Sequence, residues 1–159
     1  MSDTELWEGW RAAWSGRDAR AFAAVCAPAL HYEDPLTEQP LKDVGELGEH
    51  ARRLWNAFPD ARLEETGAVV ADARHAAIPG RLRGTNRGPL GALPATGRPL
   101  AAHVVFYAEL ERGRLMRVRA FYDLYDAAAQ LGILPARGTL GERALLALRG
   151  YGLRRGASR

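Results

Sequence analysis

The chain has one cysteine in 159 residues and no apolar run long enough to cross a membrane. A single cysteine excludes an internal disulfide and a cysteine metal cluster, so the sequence favours a reducing, cytoplasmic environment. The first residues are acidic and lack the basic and apolar regions of a secretory signal, so we expect no export. Cys26 lies among alanines and a valine, which predicts a small buried side chain.

Lysine is almost missing, and basic charge is scarce over most of the chain. The whole chain carries +3, but six arginines and one glutamate give residues 137–159 a balance of +5, which leaves −2 for residues 1–136. The acidic part has no basic stripe interleaved with aromatic residues, so we expect no nucleic-acid partner. Leucines and an alanine repeat at helical spacing after residue 139, which predicts a C-terminal helix and basic tail over residues 137–159.

The hydrophobic pattern changes from helical to alternating near residue 60. Helical spacing and capping residues predict helices over residues 4–15, 18–27 and 43–58. Alternation predicts strands over residues 30–33, 62–71, 75–85, 98–111 and 115–123, with a turn at 111–114. Helices followed by a strand meander predict one α+β domain over residues 1–136, in which a curved antiparallel sheet wraps around three N-terminal helices as a cone-shaped barrel. A cavity inside such a cone suits an apolar ligand.

Asp123 is the most informative residue, because it ends a predicted strand immediately before a helix-like segment. Asp is a favoured helix N-cap, which is one interpretation. The other is a catalytic carboxylate aimed into the cavity. Alternation places Arg117, Arg119, Phe121 and Asp123 on one face of the last strand, together with His103, Val105, Tyr107 and Glu109 of the strand before it. This mixed face either lines the pocket or meets solvent or a dimer partner, while the apolar opposite face forms the core.

Six short segments share the order and spacing of one known family. They are 32–35 (YEDP), 55–60 (WNAFPD), 84–90 (GTNRGPL), 93–98 (LPATGR), 121–123 (FYD) and 130–132 (QLG). Over residues 4–135 the chain resembles the SnoaL-like polyketide cyclases, within the nuclear transport factor 2-like superfamily. The chain departs from the family pattern at Asn86, where histidine is frequent, near Gly80, where a tryptophan is missing, and at Arg119, which replaces an aromatic residue.

The resemblance implies a dimeric, metal-free and cofactor-free enzyme that closes a ring of an apolar biosynthetic intermediate. An aspartate matching Asp123 is the general acid/base in that family. Two alternatives stay open on the same fold: an epoxide hydrolase, epoxide-opening cyclase or ketone isomerase, and a non-catalytic binding or dimerisation module. The histidines and carboxylates show no metal-ligand spacing.

The candidate site residues combine the resemblance with the strand pattern. Tyr32 and Asp34 either contact the substrate or shape the Asp-Pro turn, and Asn86 either binds substrate or holds the loop backbone. His50 lines the pocket or fills the core. The predicted catalytic residues are Asp123, His103 and Arg119, and the predicted substrate-binding residues are Tyr32, Asp34, His50, Trp55, Asn86, Val105, Tyr107 and Phe121.

Overall fold

The computed structural model describes residues 3–149, which form five α-helices and six β-strands. The predicted α+β class is confirmed, and the basic tail after residue 149 lies outside the described residues. The helices are α1 (Asp3–Gly16), α2 (Phe22–Val25, after a short 3₁₀ turn), α3 (Val44–Ala57), α4 (Leu124–Gln130) and α5 (Leu140–Leu148). The strands are β1 (Cys26–Glu33), β2 (Arg62–Glu65), β3 (Val70–Ala71), β4 (His75–Thr85), β5 (Pro99–Glu111) and β6 (Arg114–Phe121).

The strands form one curved sheet in the order β1-β6-β5-β4-β2, with β3 pairing beside β4. All strand pairs are antiparallel except β1 with β6, which is parallel. The predicted antiparallel meander is confirmed, and the sheet is mixed because β1, which precedes the meander, pairs in parallel with its last strand. A parallel pair needs a long crossover connection, and here α3 and the strands β2 to β5 supply it.

The turn between β5 and β6 is confirmed at the predicted residues. Arg112 and Gly113 both have positive φ, 51° and 71°. A two-residue hairpin turn of this kind matches the right-handed twist of the strands, and glycine adopts the second position without strain. The turn, together with a register shift between Glu109 and Leu110, places Val105 opposite Phe121 and Tyr107 opposite Arg119.

The apolar side of β5 and β6 forms the core. Ala102, Val104, Phe106 and Ala108 alternate along β5 as buried residues, whereas the residues between them are exposed or half-buried. Trp10 of α1 is 1% exposed and packs against this face, with its ring 5.5 Å from that of Phe106. The mixed face of β5 and β6 therefore points outward, as expected if it meets solvent or a dimer partner and the apolar face forms the core.

Helix α5 lies apart from this core. None of its residues is buried, and Leu140 and Leu148 are 80% and 86% exposed. The predicted C-terminal helix is confirmed, but it contributes little to the packing of the domain. Among residues 3–149, no helix combines the length and the apolar character that a membrane span requires.

Candidate functional site

A cavity of about 150 Å³ lies between the inner face of the sheet and helices α1, α3 and α4. Its wall is almost wholly apolar, because β5 and β6 direct their small buried residues toward it. Leucines 36, 93 and 124, each between 38% and 43% exposed, border its opening. The deeper wall includes Trp14, Trp55, Leu82, Ala102, Phe106 and Ala120.

One end of the cavity carries a buried polar cluster centred on Asp34. The His50 Nε2 lies 2.8 Å from the Asp34 Oδ2, and the Tyr32 hydroxyl donates to the same oxygen over 3.0 Å. The side chains of His50 and Asp34 are 4% and 2% exposed. Tyr32 and Asp34 border the cavity, whereas His50 stands behind Asp34 on α3. The carboxylate is therefore held by side chains of both β1 and α3.

Asp34 stays ionised despite its burial. Burial by itself raises the pKa of this carboxyl, but the hydrogen bond and charge of His50 act in the opposite direction. The Leu36 backbone N–H and the Tyr32 hydroxyl also lower it, so the pKa of Asp34 lies below its ordinary value. The cavity therefore contains a carboxylate in its basic form at neutral pH.

The Asp34 side chain also shapes the Asp-Pro turn, as one interpretation of the sequence proposed. Its Oδ1 accepts from the Leu36 backbone N–H at 2.8 Å, and its backbone N–H donates to the Thr37 hydroxyl oxygen. The two carboxylate oxygens thus have separate partners. The turn therefore holds the carboxylate through Oδ1, while Tyr32 and His50 hold it through Oδ2.

Tyr122 stands beside this cluster, and the sequence pattern did not single it out. It follows β6 and borders the cavity. Burial, together with the negative charge of Asp34, holds the pKa of Tyr122 far above its ordinary value. Among the described residues, its hydroxyl has no hydrogen-bond partner. A neutral phenol near a carboxylate is suited to donate a hydrogen bond to a substrate oxygen.

Trp55 borders the cavity and is held in place by α1. Its Nε1 donates to the Trp14 backbone oxygen over 3.0 Å. Trp14 borders the cavity as well, and the sequence interpretation gave it no role. Tryptophans at positions 7, 10 and 14 repeat at helical spacing, and this repeat is the sequence signal that puts Trp14 on the inner face of α1.

The five predicted site residues on the outer face of the sheet do not line the cavity. Val105, Tyr107 and Phe121 are 43%, 36% and 57% exposed, on the side opposite the buried alternate residues. The prediction that this mixed face forms the pocket wall is wrong, because the small apolar residues of the other parity fit against the helices. His103 and Arg119 lie on the same outer face.

The two outer polar residues have partners of their own. Arg119 Nε donates to Glu33 Oε1 across the β1–β6 pair at 2.8 Å. The His103 Nε2 lies 3.5 Å from an Arg81 guanidinium nitrogen on β4. Arg119 is thus paired with Glu33, and the arginine that pairs with Asp123 is Arg137.

Asp123 is the N-cap of α4 and is not one of the residues that line the cavity. Its Oδ1 accepts from the Asp126 backbone N–H at 2.9 Å, and its Oδ2 pairs with Arg137 at 2.8 Å. The side chain is 49% exposed. The Asp126 N–H, and then the charge of Arg137, lower the pKa of Asp123. Both oxygens are occupied outside the cavity, so the structure does not place Asp123 as its acid/base.

Asn86 is buried but serves the loop between β4 and β5. Its side-chain nitrogen donates to the Gly88 oxygen over 2.9 Å, and its side-chain oxygen accepts from the Thr96 N–H over 2.7 Å. Asn86 is not one of the residues that line the cavity. In residues 3–149 no group of three or more histidine, cysteine or acidic side chains is arranged to hold a metal ion.

The chain is similar to known proteins in both sequence and structure. Residues 4–131 match the sequence model of the SnoaL-like polyketide cyclases. A comparison with curated protein sequences finds no match.

Several solved structures share the fold. TsrD from Streptomyces laurentii superposes with a TM-score of 0.73 at 23% identity, covering 82% of this chain and 95% of TsrD. IdmH from Streptomyces antibioticus gives a TM-score of 0.71 at 21% identity, over 83% and 99% of the two chains. A protein with a ketosteroid isomerase-like fold from Catenulispora acidiphila, in complex with trimethylamine, gives 0.71 at 17% identity, over 83% and 95%.

Proposed function

Because the chain belongs to the SnoaL-like polyketide cyclase family, we propose that it is a small cyclase that closes a ring by acid/base catalysis in its apolar cavity. Asp34 is the acid/base in this proposal, in place of Asp123. The observation that carries it is an ionised carboxylate with a 2% exposed side chain at the end of the cavity. The proposed substrate is an apolar biosynthetic intermediate, and the reaction uses no cofactor.

The proposed reaction moves one proton out and back. The Asp34 carboxylate removes a proton from a carbon next to a carbonyl group, and the electron pair of the broken C–H bond moves onto the carbonyl oxygen. The Tyr122 hydroxyl donates a hydrogen bond to the resulting enolate oxygen. The enolate carbon then bonds to a second carbonyl carbon of the same molecule, and Asp34 returns its proton to the alkoxide formed there. The polar end of the cavity holds the two reacting carbonyl groups together, which supplies a large part of the rate.

Exchange of α-protons tests this proposal without knowledge of the natural substrate. In D₂O, the protein should speed deuteration of heptan-2-one next to its carbonyl by about 10²–10⁴-fold over buffer, because Asp34 takes the proton and solvent deuterium replaces it. Proton NMR follows the loss of the signal.

Two alanines of β5 provide a matched pair of controls. Ala102→Leu fills the cavity from the inner face and should abolish the exchange, whereas Ala101→Leu adds the same atoms to the exposed outer face and should leave it unchanged. Equal exchange in both variants, or no acceleration by the natural sequence, would contradict catalysis in the cavity.

A second candidate function is binding without turnover. It is favoured by the three hydrogen bonds that the Asp34 oxygens already accept, from Tyr32, His50 and Leu36. Such bonds weaken a carboxylate as a base. Binding of heptan-2-one without any deuteration would support this function over the cyclase.

We also propose that the protein acts as a cytoplasmic homodimer, joined through the outer face of the sheet. Val105, Tyr107 and Phe121 form an exposed apolar patch there, bordered by the Arg119–Glu33 ion pair. Apolar and aromatic residues surrounded by polar ones are typical of protein interfaces.

A charge placed in this patch tests the dimer. Phe121→Glu should raise the dissociation constant by about 100-fold or more, because the residue acts twice in a symmetric interface. Analytical ultracentrifugation measures the change. Leu148→Glu introduces the same charge at an 86% exposed position of α5 and should leave the dimer intact. A monomer at all accessible concentrations of the unaltered protein would refute the proposal.

A further inference from the structure

The polar groups along the cavity wall are few and almost all engaged. Tyr32 donates to Asp34, and the Trp55 indole donates to the Trp14 backbone. The Trp14 Nε1 is buried without a partner and has no surface on the cavity. Over residues 3–149, the hydroxyl of Tyr122 is thus the donor that the cavity end offers to a ligand.

Two arginines border the same cavity, but they do not serve its interior. Arg62 and Arg83 face each other across β2 and β4, in the register where Leu63 and Leu82 point inward. Their side chains therefore lie on the outer face, where both approach the carboxylate of Glu64 at 2.8 and 3.6 Å. The interior of the cavity is therefore lined by apolar side chains, except at the end where Asp34 and Tyr122 lie.

The size of the cavity limits what it can enclose. Its volume is about 150 Å³, and apolar cavities of that size in proteins accommodate about one six-membered ring. The three partly exposed leucines at the opening, Leu36, Leu93 and Leu124, can contact the rest of a longer molecule. A larger substrate would therefore place only a ring-sized part inside.

We infer that the cavity binds a hydrocarbon-rich ketone whose carbonyl oxygen accepts a hydrogen bond from Tyr122 and which carries no polar atom beyond the reacting carbonyl groups at the polar end. Such a ketone is the substrate class of the proposed cyclase. Its role as a substrate rests on the proposed function, whereas its binding does not. An oxygen further along the enclosed chain would lose its water without gaining a donor, which is unfavourable. A chain with carbonyl groups on alternate carbons therefore fits poorly, and a largely reduced chain fits well.

Three probes of nearly equal shape test this inference. Heptan-2-one carries one carbonyl group, 2-methylhept-1-ene replaces its oxygen by a methylene group, and 5-methoxypentan-2-one replaces a chain methylene by an ether oxygen. Titration calorimetry, or NMR line broadening for the less soluble alkene, measures their affinities. The ether oxygen should weaken binding by about tenfold relative to heptan-2-one, because it is buried without a partner.

A variant identifies the donor. Tyr122→Phe should lower the affinity for heptan-2-one by about fivefold to tenfold and leave the affinity for 2-methylhept-1-ene unchanged, because only the ketone loses a hydrogen bond. The inference is overturned if 5-methoxypentan-2-one binds as tightly as heptan-2-one, if Tyr122→Phe weakens both ligands equally, or if none of the probes binds up to its solubility limit. Circular dichroism establishes that the variant is folded.

Repeating the titrations with Asp34→Asn separates this inference from the proposed function. The ligand preference depends on the cavity wall and Tyr122, so it should persist when the base is removed. Loss of deuteration with the preference intact supports both proposals. If the unaltered protein prefers heptan-2-one over 5-methoxypentan-2-one but does not deuterate it, only the cyclase proposal is refuted. If it deuterates heptan-2-one without this preference, only the proposed ligand class is refuted.

Discussion

Replacing Asp34 by asparagine lowers the rate of α-deuteration of bound heptan-2-one by about 10²–10⁴-fold, because the amide cannot accept the proton. The amide oxygen can still accept from the Leu36 N–H, so the Asp-Pro turn should remain. The measurement is the NMR exchange rate at saturating ketone, with calorimetry showing that the ketone still binds. Loss of binding together with loss of rate would instead assign Asp34 to the structure of the site.

Asp123 offers the matched control for this experiment. Asparagine is about as good an N-cap as aspartate, so Asp123→Asn should preserve α4 while removing the charge that pairs with Arg137. We expect its exchange rate to stay within about threefold of the unaltered protein, since a residue outside the cavity takes no part in proton transfer. A large loss in this variant, with Asp34→Asn active, would restore the assignment implied by the family resemblance.

The pH dependence follows from the position of the Asp34 pKa. The rate requires the ionised form, and that pKa lies below the ordinary carboxyl value of 3.8. Activity should therefore be constant above this value and fall only in more acidic solution. His50→Gln removes a charge that lowers the pKa of Asp34, while burial still raises it, so the acidic fall should move to higher pH. An unchanged profile would show that His50 does not act through Asp34.

Replacing Trp10 by alanine should lower the free energy of unfolding by about 3–5 kcal/mol, the range measured for truncation of large buried aromatic residues. Trp10 is 1% exposed, and its ring lies within 5.4 to 6.2 Å of the rings of Trp14, Phe22, Tyr32 and Phe106. Urea unfolding followed by circular dichroism measures the change. Trp10→Phe keeps part of the volume and should lose less.

An exposed leucine provides the contrast for the Trp10 variant. Leu148→Ala, at an 86% exposed position of α5, should change the stability by less than about 0.5 kcal/mol. Because free energies of unfolding are about 5–15 kcal/mol in total, the Trp10 variant should also unfold at a clearly lower urea concentration. Equal effects of the two substitutions would mean that the tryptophan cluster is not the centre of the core.

The sequence predicted local structure well where one strong signal was present. The helix after Asp43 begins with the expected cap, in which the carboxylate accepts from the Glu46 N–H over 2.8 Å. The strand His75–Thr85 has the predicted bounds, because alternation and a following Gly/Pro-rich loop both mark it. The order of the elements and the family resemblance together indicated the correct fold.

The site was harder to predict because alternation separates two faces of a strand without saying which one faces inward. The mixed face looked more suitable for a pocket, but small residues such as Ala102 and Ala120 leave the space that forms the cavity. Tyr122 belonged to the face that was read as uniformly apolar. Asp123 pairs with Arg137, which belongs to the C-terminal segment 137–159, outside the predicted domain of residues 1–136.

The parallel pairing of β1 with β6 has a consequence for how the chain folds during synthesis. Arg114 at the start of β6 donates to the carbonyl oxygens of Ala23 and Cys26, 91 and 88 positions earlier. When β1 leaves the ribosome its edge has no partner, and it must wait until most of the remaining chain has been made. Contacts so distant in sequence slow folding and leave strand edges open to other chains. Until β6 has been made, the contacts open to β1 are those with earlier elements, such as the packing of Trp10 and Trp14 of α1 against Tyr32.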